Sequence, residues 1–404
     1  MKPWPLERVP HLDFLAVASV LQSIAQEALG RVDPLSFSAK SPREFAAMTW
    51  ESLGGAEESL HAAARRFAAM FNVDVRPPLP QEETGIFAQK GLDLWQEGQR
   101  PLTFFTSGST GEAKGCTHLE SHVRQEIAGI VPWGEGGESM LATVPLHHMY
   151  GFIFGVLMPM CLDIPVRCAP PLPTVVDAQM RPKDLVVSTP LLWSRLVEMK
   201  NWLTGASDAG RDITIFMAAA PTPPEVMHAL RRNSFRTVEF FGSSETGGFC
   251  CRENPDEPFV LLPHVERGKG EHEGAIERVL PDGTLMRYPF VDSIMWVGDR
   301  ALLPGGRLDK AVQVAGVNVH PQHVASVLER HEGVRRCLVR LMREDEGHRL
   351  KAFVVPQQGW NEKALRKSLA LFARQNLDDA ERPGHYAFGD DIPRTPMGKP
   401  ADWQ

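Results

Sequence analysis

Three times between residues 184 and 248 a short, largely apolar run leads into a helical stretch or a glycine-rich turn. "DLVVST" (184–189) precedes "PLLWSRLVEM", "ITIFM" (213–217) precedes "AAAPTPPEVMHALRR", and "TVEFF" (237–241) precedes "GSSETGG". A strand with one wet face alternates apolar and polar side chains, so unbroken apolar runs mark strands covered on both faces. Strands alternating with helices join in parallel. The bulk of the chain is therefore expected to be α/β with a mostly parallel sheet. In such sheets ligands sit beyond the C-terminal ends of the strands. "LTFF" (102–105) reads as a further strand of this kind. Three special loops, 106–111, 218–221 and 242–247, then each follow a strand and are expected to share one site.

The first hundred residues read mostly as helix. "FLAVASVL" is flanked by Glu7 and Asp13 and is too short to cross a bilayer, so it reads as the buried face of an N-terminal helix. Ser41 and Glu44 are spaced as a capping box, and so are Thr222 and Glu225 with Pro223 at the helix start. "VRPPLPQEE" is a proline-rich break. From about residue 310 the texture changes. "PQHVASVLERHEG" places Val324, Val327 and Leu328 on one helical face, and "EKALRKSLALFARQ" does the same with Leu365, Leu369 and Phe372. With the strand-like "VRRCLVRLM" and "LKAFVV" between them, this is a small α+β domain. The expected domains are 1–308, with a shortened N-terminal subdomain, and 309–404.

Composition narrows the function classes. The 404 residues carry a net charge of −7, which argues against a nucleic-acid binder. No C-x-x-C pair occurs among the six cysteines, as expected of a reduced, cytoplasmic chain with neither disulfides nor a zinc site.

The loop "TFFTSGSTGEAKG" (103–115) is rich in hydroxyls and glycine. Successive N–H groups of such a turn form a concave nest for an anion, while a solvated turn is the plain alternative. Known nucleotide patterns fail on it. The spacing Gly108, Gly111, Gly115 does not match the dinucleotide fingerprint, and Gly115 follows Lys114 where a P-loop glycine would precede it. No nucleophile elbow surrounds Ser109 or Ser244. His118 and His122 stand four apart, but Leu119 occupies the place of a zinc protease's glutamate.

Five stretches, taken in order, resemble the adenylate-forming superfamily of acyl-CoA synthetases, aryl-acid ligases, luciferases and peptide-synthetase adenylation domains. They are "TSGSTGEAKG" (106–115), "VPLHHMYG" (144–151), "FFGSSETGG" (240–248), "VGDRALLPGGRLDKAVQVAGVNVHP" (297–321) and "IPRTPMGKP" (392–400). The resemblance implies a large N-terminal domain with mostly parallel sheets and a small mobile α+β C-terminal domain. It implies a reaction in two halves. A carboxylate attacks the α-phosphate of ATP, giving an acyl-adenylate and pyrophosphate, and a thiol then displaces AMP.

It also implies roles. Thr106, Ser107, Gly108, Ser109, Thr110 and Gly111 would hold the β- and γ-phosphates, with Lys114 nearby. Glu245 would ligate Mg2+, and Gly242, Ser243 and Ser244 would line the α-phosphate. Phe241 stands where the family has tyrosine and would stack on adenine, or simply end a strand in the core. Asp299 would bind the ribose, and Arg307 the ribose or phosphate. Lys399 would stabilise charge developing at the α-phosphate, so Lys399, His148 and Glu245 form the expected catalytic set. His148 would face the substrate carboxylate, leaving His147 a supporting role. Tyr150, Phe152, Trp193, Ala219 and Ala220 would line an acyl pocket. Asp309 would be the hinge between the half-reactions, and Gly316 would border the thiol tunnel.

The chain departs from the family pattern twice. Only 105 residues precede the phosphate loop, and Gln313 replaces a common lysine. The segment 144–155 lacks the aspartate that pairs with an α-amine in peptide-synthetase domains, so the acid is expected to be aryl or medium-chain acyl. The acceptor is left open between CoA and the phosphopantetheine of a carrier protein. A non-catalytic, regulatory nucleotide-binding relative is the alternative class. The expected partners are a small carboxylic acid and, in the second case, an acyl carrier protein, with no membrane contact.

Overall fold

The computed structural model describes residues 2–30, 40–106, 114–199, 212–270, 274–290, 292–307, 311–343, 345–393 and 403, and chain packing divides it into two compact units. The boundary expected at 308/309 lies outside the described residues.

In the larger unit, Phe14–Ala28, Pro42–Ala46, Glu57–Phe71 and Thr84–Glu97 form a helical layer. Asp13 caps the first helix by accepting the Ala16 N–H at 2.8 Å. The Ser41–Glu44 capping box is formed, with the Ser41 N–H donating to Glu44 Oε2 at 2.8 Å and the Glu44 N–H to Ser41 Oγ at 3.3 Å. Trp50, Phe67, Phe71, Phe87 and Trp95 fill the interior of this layer, and Trp50 meets Phe87 edge-on at 5.3 Å.

The main sheet has nine strands. Its spatial order is 292–296, 301–307, 259–261, 247–252, 236–243, 214–217, 184–188, 139–142, 166–168. From Val166–Cys168 through Arg236–Ser243 the neighbours are parallel, and from Arg236–Ser243 through Gly247–Arg252 and Phe259–Leu261 to Ala301–Arg307 they are antiparallel. The unbroken apolar runs are explained by two separate cores. Leu141, Val186, Ile215 and Met217 face one cluster with helices Pro190–Glu198 and Pro224–Arg232, while Met140, Leu185, Val187 and Phe216 face the other.

Two expectations are corrected. Pro101–Thr106 is a strand, but it pairs with Lys114–Leu119 in a separate two-stranded sheet. Thr103 Oγ1 meets Thr117 Oγ1 at 2.7 Å across that pair and accepts from Asn72 Nδ2 at 2.9 Å. Its partner has only every second residue buried, so no apolar run announced it. The Thr222–Glu225 capping box does not form. The helix starts at Pro224 with Pro223 as N-cap, and the Thr222 N–H donates instead to the buried Glu239 at 2.7 Å.

The smaller unit holds a three-stranded sheet, ordered Val334–Leu341, Leu350–Pro356, His385–Phe388, with helices Pro321–Leu328 and Glu362–Asn376. Val324, Val327, Leu328, Leu365 and Leu369 are buried in its core, and Phe372 packs partly buried against it. Trp403 packs on Phe353 at 5.8 Å and lies under the Arg340 guanidinium. Among the described residues no helix is long and apolar enough to cross a membrane.

Candidate active site

Strand Arg236–Ser243 ends the parallel half of the sheet, and the chain turns back at once into Gly247–Arg252. The turn therefore stands at the C-terminal edge of the parallel strands, where a ligand is expected. Two reciprocal bonds close it. The Ser243 N–H donates to Thr246 Oγ1 at 3.0 Å and the Thr246 N–H to Ser243 Oγ at 3.2 Å. Glycine is required at its base, because a Cβ on Gly242 would lie 2.2 Å from the Gly247 carbonyl oxygen. Phe241 is half-buried against Phe249 and Phe259. Ser244 and Glu245 are half-buried at the tip.

Three residues that sequence reasoning missed hold this turn from beneath. The Gly248 N–H donates to Glu126 Oε1 at 2.7 Å, and Arg278 Nη2 donates to Glu126 Oε2 at 2.8 Å. Glu126 and Arg278 are each 1% exposed. Burial pushes the Glu126 carboxyl up, against the pull of the guanidinium and of the Gly248 N–H. Gly247 has φ +68°, and a Cβ there would stand 2.1 Å from Glu126 Oε2. The third residue is His118, whose Nε2–H donates to the Ser244 carbonyl at 2.6 Å. Burial lowers the His118 imidazole, with Glu245 pulling weakly the other way. The one sequence signal was an acid, Glu126, on the helical face shared with Val123, Ile127 and Ile130.

Asp299 lies exposed in the turn between Asp292–Trp296 and Ala301–Arg307. Register places it relative to the hairpin. Ala301 pairs with Val260, Val260 with Cys251, and Cys251 with Phe240. Asp299, two residues before Ala301, is thus level with Gly242, three strands or about 14 Å away across the sheet. Both stand at the same edge.

The second candidate segment occupies that edge too. Tyr150 Oη reaches the carbonyl oxygens of Phe216 at 2.7 Å and Ser188 at 3.0 Å, at the ends of two parallel strands. Its helix, Met149–Phe152, packs against Gly247–Arg252. Ala219 and Ala220 follow the strand Thr214–Met217, and Ala219 sits exposed in the left-handed region at φ +74°. A non-glycine residue held there stores strain of the kind that collects at functional sites. Trp193 and Phe152 are placed elsewhere. Both are fully buried, Trp193 against Phe235 with its indole N–H on Ser188, and Phe152 against Phe104. They build the cores behind the edge.

His147 and His148 differ in burial. His147 is buried, while the His148 side chain is 46% exposed. Helix Phe14–Ala28 supplies their partners. Ser23 Oγ lies 2.9 Å from His147 Nδ1, and Glu27 Oε2 lies 2.9 Å from His147 Nε2 and 3.6 Å from His148 Nε2. Burial would raise the Glu27 carboxyl, but the bond from His147, the neighbouring His148 and the charge of Arg66 hold it well below the usual carboxylate range.

Two buried imidazoles set a pH dependence. Burial is the main cause that holds His147 down to about 4 and His264 to about 3, with Arg278 and Arg300 adding to the second. In the unfolded chain each titrates near about 6.5. Above that pH neither state gains a proton. Below it the unfolded chain takes up protons that the folded chain refuses until its own lower values are reached. Stability is therefore expected to fall as pH drops from 6.5 toward 4, each histidine costing about 2 kcal/mol by pH 5. Urea unfolding at pH 7.5 and pH 5 measures this, and equal stability at both would refute it.

Ser107, Gly108, Ser109, Thr110, Gly111, Asp309 and Lys399 lie outside the described residues, as do the side chains of Thr106 and Arg307. In the smaller unit Gly316 has φ +86° and Ala315 φ +51°. They form a two-residue turn between Val312–Val314 and Val317–Val319. Gln313 Nε2 donates to Asn318 Oδ1 at 2.5 Å across this hairpin.

Comparison with known proteins matches the chain in two segments. The family described as AMP-binding enzyme covers residues 60–271, and that described as AMP-binding enzyme C-terminal domain covers 323–399. A 4-coumarate–CoA ligase of Rhodobacter capsulatus is 36% identical over 311 residues, 74% of each chain. One from Halorhodospira halophila is 32% identical over 299 residues, again 74% of each. Among solved structures, an amide bond synthetase from Marinactinospora thermotolerans has a TM-score of 0.65 at 19% identity. It covers 96% of this chain and 92% of its own, and shows the fold alone.

Proposed function

Because this chain belongs to the AMP-binding enzyme family, whose members form adenylates, we propose that it activates an aryl carboxylic acid at the edge described above. It is an ATP-dependent, AMP-forming acid–CoA ligase. The observation that carries this is the ordered match of both family segments together with relatives of that activity at 32–36% identity.

The acid carboxylate attacks the α-phosphate of ATP, forming an acyl phosphate anhydride and expelling pyrophosphate. The CoA thiol then attacks the acyl carbon, forming the thioester and releasing AMP. Phe241 receives the adenine on its half-open face. Asp299 accepts hydrogen bonds from the ribose hydroxyls. The loop 106–111 donates to the outer phosphates. Mg2+ fits Glu245, a half-buried carboxylate at a hairpin tip and so a hard oxygen donor, and when bound it would neutralise phosphate charge. His148 meets the incoming carboxylate, and Lys399 meets the charge that grows on the α-phosphate. Gly316 borders the path of the thiol, and Asp309 is the hinge.

An aryl acid is favoured by three relatives named 4-coumarate–CoA ligase and by the half-buried Tyr150 ring at the strand ends. The test is acid-dependent ATP–pyrophosphate exchange with 4-coumarate, cinnamate, benzoate and medium-chain fatty acids. Aryl acids should support exchange. Exchange with none of them would end the enzyme reading, and exchange with the fatty acids alone would overturn the substrate class.

A further inference from the structure

Helix Phe14–Ala28 lies more than a hundred residues before the segment that carries His148, yet two of its side chains grip that segment. Ser23 and Glu27 are four residues apart and so share one helical face. Ser23 Oγ accepts the Leu146 N–H at 2.9 Å. With that bond made, its own proton goes to His147 Nδ1. The His147 ring proton is then on Nε2, where it is donated to Glu27 Oε2 at 2.9 Å. The same Oε2 lies 3.6 Å from His148 Nε2, and the His147 ring stands against the His148 ring at 4.7 Å and 88°. Arg66 pairs with the other Glu27 oxygen.

These three residues bring one donor atom each within 4.8 Å of one another, as a metal site would. The cluster is already closed without one. Both His147 nitrogens have protein partners, and Arg66 balances the Glu27 charge. What remains open is His148, whose side chain is 46% exposed and whose Nε2 faces inward to Glu27. An imidazole that exposed samples several rotamers unless something holds it.

We propose that Glu27, braced by Ser23, His147 and Arg66, is a positioning residue for acid activation, holding the His148 ring with Nε2 inward so that its opposite edge faces the substrate acid. This rests on the reading that His148 serves the acid. Glu27 touches neither substrate and acts only through the histidine pair. The N-terminal helix thereby supplies a wall of the acid site, and the family motif "VPLHHMYG" depends on a residue that lies far outside it in sequence.

The test uses the full chain with Glu27→Gln, which keeps the volume and removes the charge, and Ser23→Ala, which leaves every charge in place. Exchange kinetics read the KM for acid and for ATP separately, and 15N-histidine spectra read ring tautomers. Glu27→Gln should lower kcat/KM for the acid by about tenfold or more, because a small misplacement of a reacting group is costly. The KM for ATP should stay within about twofold, since the nucleotide side is untouched. The His147 and His148 nitrogen signals should both move. Ser23→Ala should act in the same direction with a smaller loss, and it decides the matter if Glu27→Gln does not fold. Equal losses in the acid and ATP terms, or an unchanged acid term, would overturn the proposal. Unmoved His148 signals in the variant would overturn it even if the wild type adenylated no acid, so the two readings fail separately.

Discussion

Lys399→Ala is expected to lower acid-dependent ATP–pyrophosphate exchange by about 10²–10³-fold while leaving the thiol step on preformed acyl-adenylate largely intact. The argument is one of charge. The first half-reaction brings an anionic carboxylate onto a phosphate that is itself anionic, and negative charge grows on the α-phosphate as the bond forms. A cation placed there before the reaction stabilises that charge without reorganising. In the second half-reaction the thiol attacks the acyl carbon, not phosphorus, so the charge grows first on the acyl oxygen, and the bond that breaks to expel AMP is the acyl C–O bond; the demand at the α-phosphate is smaller. Lys399 is the last residue of the matched C-terminal family segment, in the stretch "PRTPMGK". Lys114 is the competing cation, exposed at the start of the strand Lys114–Leu119. Lys399→Arg should recover only part of the rate, because a planar fork does not replace a compact ammonium. Two measurements check this, exchange for the first half and release of AMP from added acyl-adenylate for the second. Undiminished exchange in Lys399→Ala would remove its role, and equal loss in both halves would mean that it acts on a step they share.

The residues differ in how far the sequence revealed them, and the reason is burial. The parallel strands were legible because Val186 and Val187, or Ile215 and Phe216, must both be covered, and adjacent apolar residues in a strand have no other explanation. The loop 242–247 was legible through its motif, and the structure adds that it is a hairpin and why its glycines are needed. Lys114–Leu119 was missed because a half-polar strand carries no apolar run. Trp193 and Phe152 were expected in a pocket, but a sequence cannot say on which side of a strand end an aromatic ring turns. The Thr222 cap had the right spacing and lost to Glu239, an acceptor supplied by tertiary structure. The largest gap concerns charges. No motif singles out Glu27, Glu126 or Arg278, and only the fold shows that each is bound beneath or beside the site.

The Glu126–Arg278 pair leads to the second large expected effect. Glu126→Ala should destabilise the larger unit by about 3–5 kcal/mol, since it strands a guanidinium that is 1% exposed. Among the described residues, Arg278 Nη1 would then keep the His122 carbonyl at 3.4 Å, and Nη2 would keep His264 at 3.2 Å. Arg278→Met should cost a similar amount by stranding the carboxylate. The double variant Glu126→Leu with Arg278→Met should be less destabilised than the sum, because replacing both charges leaves neither unpaired. Activity should not follow stability. Glu126 also accepts the Gly248 N–H and fills the space under Gly247, so the apolar double variant still leaves the turn that carries Glu245 without its support. Its KM for ATP should remain raised by about tenfold or more while the KM for the acid changes little. Denaturant unfolding and exchange kinetics on the three variants separate the two effects. A double variant as unstable as the sum would show that the pair is not coupled as described. A wild-type KM for ATP in that variant would show that Glu126 stabilises the fold without positioning the turn.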